Sequence, residues 1–147
     1  MEHAEVRTPW HLWVVGVLSL MWNTFGCYDY TMTKLDSETY MRSMGMSDEA
    51  IGHMMQLPDW LTVFWALGVW GSLAGSVLLL LRSRHAVTAF MVSLVGLAVS
   101  QAYQWLSGPL PADMSTTPMI VMAVLIWAAL LFFIWYARMA RAQGVLR

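Results

Sequence analysis

The residues best equipped for chemistry stand where apolar runs end. In MWNTFGCYDYTMT, residues 21–33, an amide (Asn23), a thiol (Cys27), a carboxylate (Asp29) and two phenols (Tyr28, Tyr30) close a long hydrophobic stretch. A later run closes on Ser100, Gln101 and Gln104. Asn23, Tyr30, Ser100, Gln101 and Gln104, with Asp29 at the mouth, form a candidate pocket for a neutral polar solute. Amides and hydroxyls would donate and accept hydrogen bonds, and aromatic rings would wall the site. The same groups could instead bond helix to helix, at ~0.6 kcal/mol per bond on average in lipid.

A second constellation is rich in sulfur. Met41, Met44, Met46, His53, Met54 and Met55 fall close together. Thioether and imidazole donors suit Cu(I), although methionine also packs irregular apolar surface wherever it occurs. His11 and His85 fall at the ends of apolar runs, too shallow for the paired ligands of a buried haem, and His3 is on the N-terminal tail. No cofactor is expected.

Several function classes are disfavoured. No nucleophile–base pair, phosphate-cradling glycine loop or zinc spacing is present, and Cys27 has no activating neighbour. An enzyme is therefore not expected. A single cysteine precludes an internal disulfide. The net charge of -1 gives no reason to expect nucleic acid as a partner. Proton- or ion-coupled transport usually needs an ionisable group at mid-membrane, and the apolar runs carry none in their middle thirds.

The elements that must hold these residues are spelled out by hydropathy. The chain is 59% hydrophobic and 12% charged, against about 25% charged in soluble domains. Four stretches, about 9–30, 58–81, 86–106 and 118–137, have the roughly 20 apolar residues that a span requires. In lipid the backbone must satisfy itself, so each is expected to be a helix. The fold class is all-α: a single domain over 1–147, built as a four-helix transmembrane bundle. Arg7, Arg82, Arg84, Arg138, Arg141 and Arg147 share one side, and only Lys34 and Arg42 face the other. The positive-inside rule then puts both termini in the cytoplasm, and the bilayer would be a bacterial inner membrane. Thr8-Pro9, Pro58-Asp59 and Thr117-Pro118 read as helix starts. Trp10, Trp13, Tyr28, Tyr30, Trp60, Trp105, Trp135 and Tyr136 mark interfaces. Within the long outer loop, 31–57, Ser47-Asp48-Glu49 starts a short amphipathic helix through Gln56. It would present Ala50, Ile51, Met54 and Met55 on one face, and Ser37-Glu38 begins another short helix.

Small residues recur at helical spacing: Gly16, Ser19, Asn23 and Gly26; Gly68, Gly71 or Ser72, and Gly75; Ser93, Gly96 and Ser100. Such stripes let helix backbones approach closely in lipid. The fourth span has none. Ile120, Val121, Val124, Leu125, Leu130, Leu131, Phe132 and Phe133 nearly encircle it, so it should face lipid or a partner, around a tight core of spans one to three.

The series Pro9-Trp10-His11-Leu12-Trp13, Trp22-Asn23 with Gly26 and Asp29-Tyr30, and Trp65-Ala66-Leu67-Gly68-Val69-Trp70-Gly71 leading to Leu78-Leu79-Leu80-Leu81-Arg82 resembles a group of small four-span bacterial inner-membrane proteins of unassigned role. The resemblance covers nearly the whole chain. Some members carry a sugar-transporter label, which implies solute transport here. The expected function is accordingly a small polar-solute transport unit in the bilayer, as a homo-oligomer. The alternative is an accessory or assembly subunit of a larger membrane complex. Copper binding by the methionine-rich loop is a minor alternative.

Overall fold

A computed structural model describes residues 5–147; His3 lies outside them. Six helices follow in order: α1 (Trp10–Leu35), α2 (Ser37–Ser43), α3 (Asp48–Met55), α4 (Asp59–Leu80), α5 (His85–Leu106) and α6 (Thr117–Ala142), with a 3-10 turn at Ala112–Ser115 before α6. No strand occurs among the described residues. Among them, α4, α5 and α6 are long and apolar enough to cross a membrane. α1 has 26 residues, but His11 and Asn23 dilute its hydropathy.

Helix starts differ slightly from expectation. Pro9, not Thr8, caps α1, and Thr116, not Thr117, caps α6, which leaves Pro118 inside the first turn; neither cap uses a side chain. Ser47 behaves as expected, its hydroxyl accepting the Ala50 N–H at 3.1 Å. α1 and α6 also run five residues past the expected span ends, because α-helical hydrogen bonding continues into polar sequence beyond the apolar run.

Two neighbouring faces of α4 organise the packing. Gly68, Gly71 and Gly75 face α5: a Cβ added at Gly71 would lie 3.3 Å from Ser93 N, and one at Gly75 would meet the Phe90 ring at 2.7 Å. Gly96 of α5 lies against the Gly68 backbone, with no room for a Cβ, and the Ser93 hydroxyl donates to the Gly68 carbonyl. Val69, Ser72 and Ser76, roughly 100° around the helix, face α1. There Gly16 lies against Leu80, and Ser19 bonds Ser76. Gly26 departs from expectation: a Cβ there would meet only Val69 Cγ1, at 4.0 Å, so close packing does not require glycine at that position.

α6 is bound at one end only. Leu130, Phe133, Ile134, Ala137 and Ala140 recur at three- and four-residue steps and are buried against Leu12, Leu79, Val87 and Phe90. α6, expected as the fourth span, thus contributes six of the thirteen residues of the hydrophobic core, contrary to the expectation of a core built from three spans. Its first half is different: Met119, Ile120, Val121, Met122, Val124 and Leu125 are all exposed.

The core lies at the end of the bundle that carries the arginines. Three helices terminate in the same C-terminal motif. Gly45 after α2, Gly144 after α6 and Arg82 after α4 each have positive φ (82°, 73° and 57°), and the next residue bonds back to a carbonyl five positions earlier. Arg82 is the exception in kind, since a side chain in this region costs about 1 kcal/mol relative to glycine. The tail after α6 then folds inward, burying Val145 and Leu146. Its last residue clasps the α4–α5 hairpin: Arg147 N donates to Arg82 O at 2.8 Å, and Arg84 N donates to Arg147 O at 2.9 Å.

At the opposite, acidic end, Asp113 Oδ2 accepts the Ser47 N–H at 3.0 Å and ties the α5–α6 connection to the start of α3. Ala50 and Ile51 are buried as expected, but Met55 is exposed. Gly96→Ala should lower thermal stability in detergent by about 1–3 kcal/mol, because the new methyl must separate two backbones. Gly26→Ala should leave stability unchanged or slightly higher. Thermal denaturation followed by circular dichroism distinguishes the two.

Candidate functional site

Asn23 is buried, and its amide is engaged on every side by α4. Nδ2 donates to Ser76 Oγ at 2.8 Å and to the Ser72 carbonyl at 3.3 Å, and Oδ1 accepts the Ser72 hydroxyl at 2.8 Å. Ser76 in turn bonds Ser19 and the Ser72 carbonyl. One turn further along α1, the Cys27 thiol donates to the Val69 carbonyl at 3.4 Å. The result is a polar seam between α1 and α4. A polar group in such surroundings is costly when unpaired, so a closed set of partners suits this depth.

The other candidates do not join this seam. Ser100 is buried on α5, and its Oγ has no partner; Gln101 and Gln104 are half-buried, with no side-chain hydrogen bond among the described residues. Tyr30 packs edge-on to Trp65, with ring centroids 4.8 Å apart. Asp29 is held by a phenol, Tyr40 OH donating to Oδ1 at 2.8 Å. Asn23 thus meets one face of α4, whereas Ser100, Gln101 and Gln104 belong to the helix on its neighbouring face. The expected convergence is absent because α1 and α5 each pack on α4 rather than on one another. It is absent also because Asn23 meets α4 at Ser72 and Ser76, while Gln101 and Gln104 lie level with the start of α4, where Tyr103 packs on Trp60.

The methionines are similarly dispersed. Met41 is buried, Met44 and Met55 are exposed, and Met46 and Met54 are intermediate. Among the described residues no group of three or more His, Cys, Asp or Glu side chains is arranged to hold a metal.

Two concave features lie apart from the candidate solute residues, and of the sulfur-rich candidates only His53 lines one of them. At the acidic end, Asp48, Glu49 and His53 of α3, Gln56 just after it, and residues 109–112 line an open pocket of about 540 Å³. His53 Nε2 is buried there with no hydrogen-bond partner among the described residues. The bond from the Ser47 backbone holds the Asp113 carboxyl below the ordinary carboxylate range. The second feature is an apolar cleft of about 430 Å³ between α1 and α6, lined by Leu18, Trp22, Leu125, Ala128, Ala129 and Phe133. It lies where α6 diverges from its neighbours. Its only sequence signal was the encircling hydrophobicity of α6, which does not specify where the divergence begins.

Tyr136, expected in an interfacial belt, is buried and bonds His11 Nδ1, and this pair connects α1 to α6. Ser76 was missed as a partner of Asn23, although Ser72 and Ser76 are four residues apart and share a helix face.

If the seam is structural, Asn23→Ala and Ser72→Ala should show a coupling of about 1 kcal/mol in a double-mutant unfolding cycle. The acidic end has its own pH signature. Desolvation, reinforced by Asp29, pushes Tyr40 from 10.0 up to about 12. Its contribution to stability is complete below pH 10 and lost as pH rises toward about 12. Tyr40→Phe should remove that alkaline component, as read by pH-dependent unfolding. Comparison with family models, with curated proteins and with solved structures gives no match.

Proposed function

We propose that this chain is a non-enzymatic membrane subunit that receives a transmembrane helix of a larger membrane complex in the cleft between α1 and α6. The observation that carries this reading is the asymmetric seating of α6. One half is anchored in the core, while the other is apolar, exposed and splayed beside Leu18 and Trp22. Ala128 and Ala129 give the cleft a shallow wall, and small residues favour close helix approach in lipid. In this reading α1 is a fourth span, and the arginine end faces the cytoplasm of a bacterial inner membrane, as the segregation of basic residues supports.

Solute transport is the second reading, supported by the polar lining of the pocket at the acidic end, with Asp48, Glu49, His53 and Gln56. It places the solute at that mouth rather than at Asn23, whose bonds are already taken by α4.

Extraction in mild detergent should recover one membrane partner in fixed ratio. Ala128→Trp, which fills the cleft from an exposed position, should release the partner without unfolding the chain. A protein that extracts alone, and whose vesicles take up a polar solute that His53→Ala abolishes, would favour transport instead.

A further inference from the structure

The arginine end holds a set of charges that the packing does not use. Arg42 pairs with Glu38 and Asp48, both at 2.9 Å, and no other ion pair occurs among the described residues. Lys34 is occupied by Thr62 and by the Trp65 ring. Both cations of the acidic end are thus engaged. At the opposite end Arg7, Arg84, Arg138, Arg141 and Arg147 are exposed and form no ion pair among the described residues.

The backbone concentrates these charges. The bonds from Arg147 to Arg82 and from Arg84 to Arg147 bring the tail's arginine beside the two arginines of the α4–α5 hairpin, at one corner of the bundle. The buried Val145 and Leu146 anchor the tail that makes this possible. Arg82 occupies the left-handed position that the two sister motifs give to Gly45 and Gly144. One of its guanidinium nitrogens bonds the Thr8 hydroxyl, which leaves the other N–H groups available. A strained residue retained where glycine fits better points to a use for its side chain. Trp10, Trp13 and Trp135 are exposed at the same end, and exposed tryptophans on apolar helices mark the headgroup layer.

We propose that the corner formed by Arg82, Arg84 and Arg147, flanked by Arg138 and Arg141 of α6, binds the phosphodiester headgroup of an anionic phospholipid. A guanidinium presents paired N–H donors that match two phosphate oxygens. Each arginine near the headgroup plane also gains from the negative surface potential. The tryptophans hold the corner at headgroup depth, so the ligand is a lipid already in the bilayer rather than a free anion.

The test is native mass spectrometry of the full chain in detergent, titrated with phosphatidylglycerol or phosphatidylcholine. Phosphatidylglycerol adducts should predominate and survive excess inorganic phosphate. Arg84→Gln and Arg147→Gln should each reduce the preference roughly fivefold, and the corresponding lysine variants, which keep the charge but lose the paired donors, should retain only part of it. Arg82→Gly should lower the preference while thermal stability holds or rises, separating headgroup binding from folding. Lys34→Gln and Arg42→Gln, at the acidic end, should change nothing. Equal retention of the two lipids would overturn the proposal without reliance on any variant. So would equal losses from variants at both ends, or displacement of the lipid by inorganic phosphate.

Discussion

Close backbone approach on two adjacent faces of α4 is the constraint on which the structure depends. Lipid tails are as apolar as leucine, so burying leucine between helices gains little, and shape and hydrogen bonding decide association. α4 provides both. Its glycine face lets the α5 backbone come close enough for Ser93 to bond the Gly68 carbonyl. Its serine face meets Ser19 and Asn23 of α1. α1 and α5 are positioned through α4, so the side chains on their other faces are left exposed or packed on α6.

The two ends of the bundle are consequently unequal. At the arginine end every long helix is tied to another: α1 to α6 through His11 and Tyr136, α1 to the α4–α5 hairpin through Thr8 and Arg82, and the tail to the same hairpin through Arg147. The hydrophobic core lies at this end. Toward the acidic end α6 leaves the bundle, and the short helices α2 and α3 take over, held by Tyr40 on Asp29 and by Asp113 on Ser47. A structure clamped at one end and open at the other suits a role in which something enters from the side. The anchored half holds α6 in place while the open half remains available.

The polar residues first considered as a solute site illustrate how depth and direction differ. Asn23 is level with Ser72 and Ser76 of α4, whereas Tyr103, between Gln101 and Gln104, packs on Trp60, so at about 1.5 Å per residue the glutamines lie roughly 15 Å nearer the acidic end. Whether they meet also depends on which helices are neighbours. The Asn23 amide is occupied by Ser72 and Ser76, while Ser100 keeps an unpartnered hydroxyl on another helix. The same chemistry that could recognise a solute is spent on cohesion in one case and left open in the other.

The amino-acid order alone determined the helical class, the three strongly apolar helices, the capped start of α3 at Ser47 and the glycine stripe of α4. Each follows from local periodicity, from hydropathy or from a single capping residue, which act over a turn or two. It also separated the basic end from the acidic one, since charge needs no folding to be counted. Only the tertiary structure decided that Ser76 rather than Gln101 faces Asn23, that Gly26 need not be glycine, that Tyr136 is buried on His11, and that Arg147 clasps Arg82. Those outcomes depend on the rotation of each helix about its axis and on contacts between residues far apart in the chain, and an apolar helix can turn in lipid without changing any local preference.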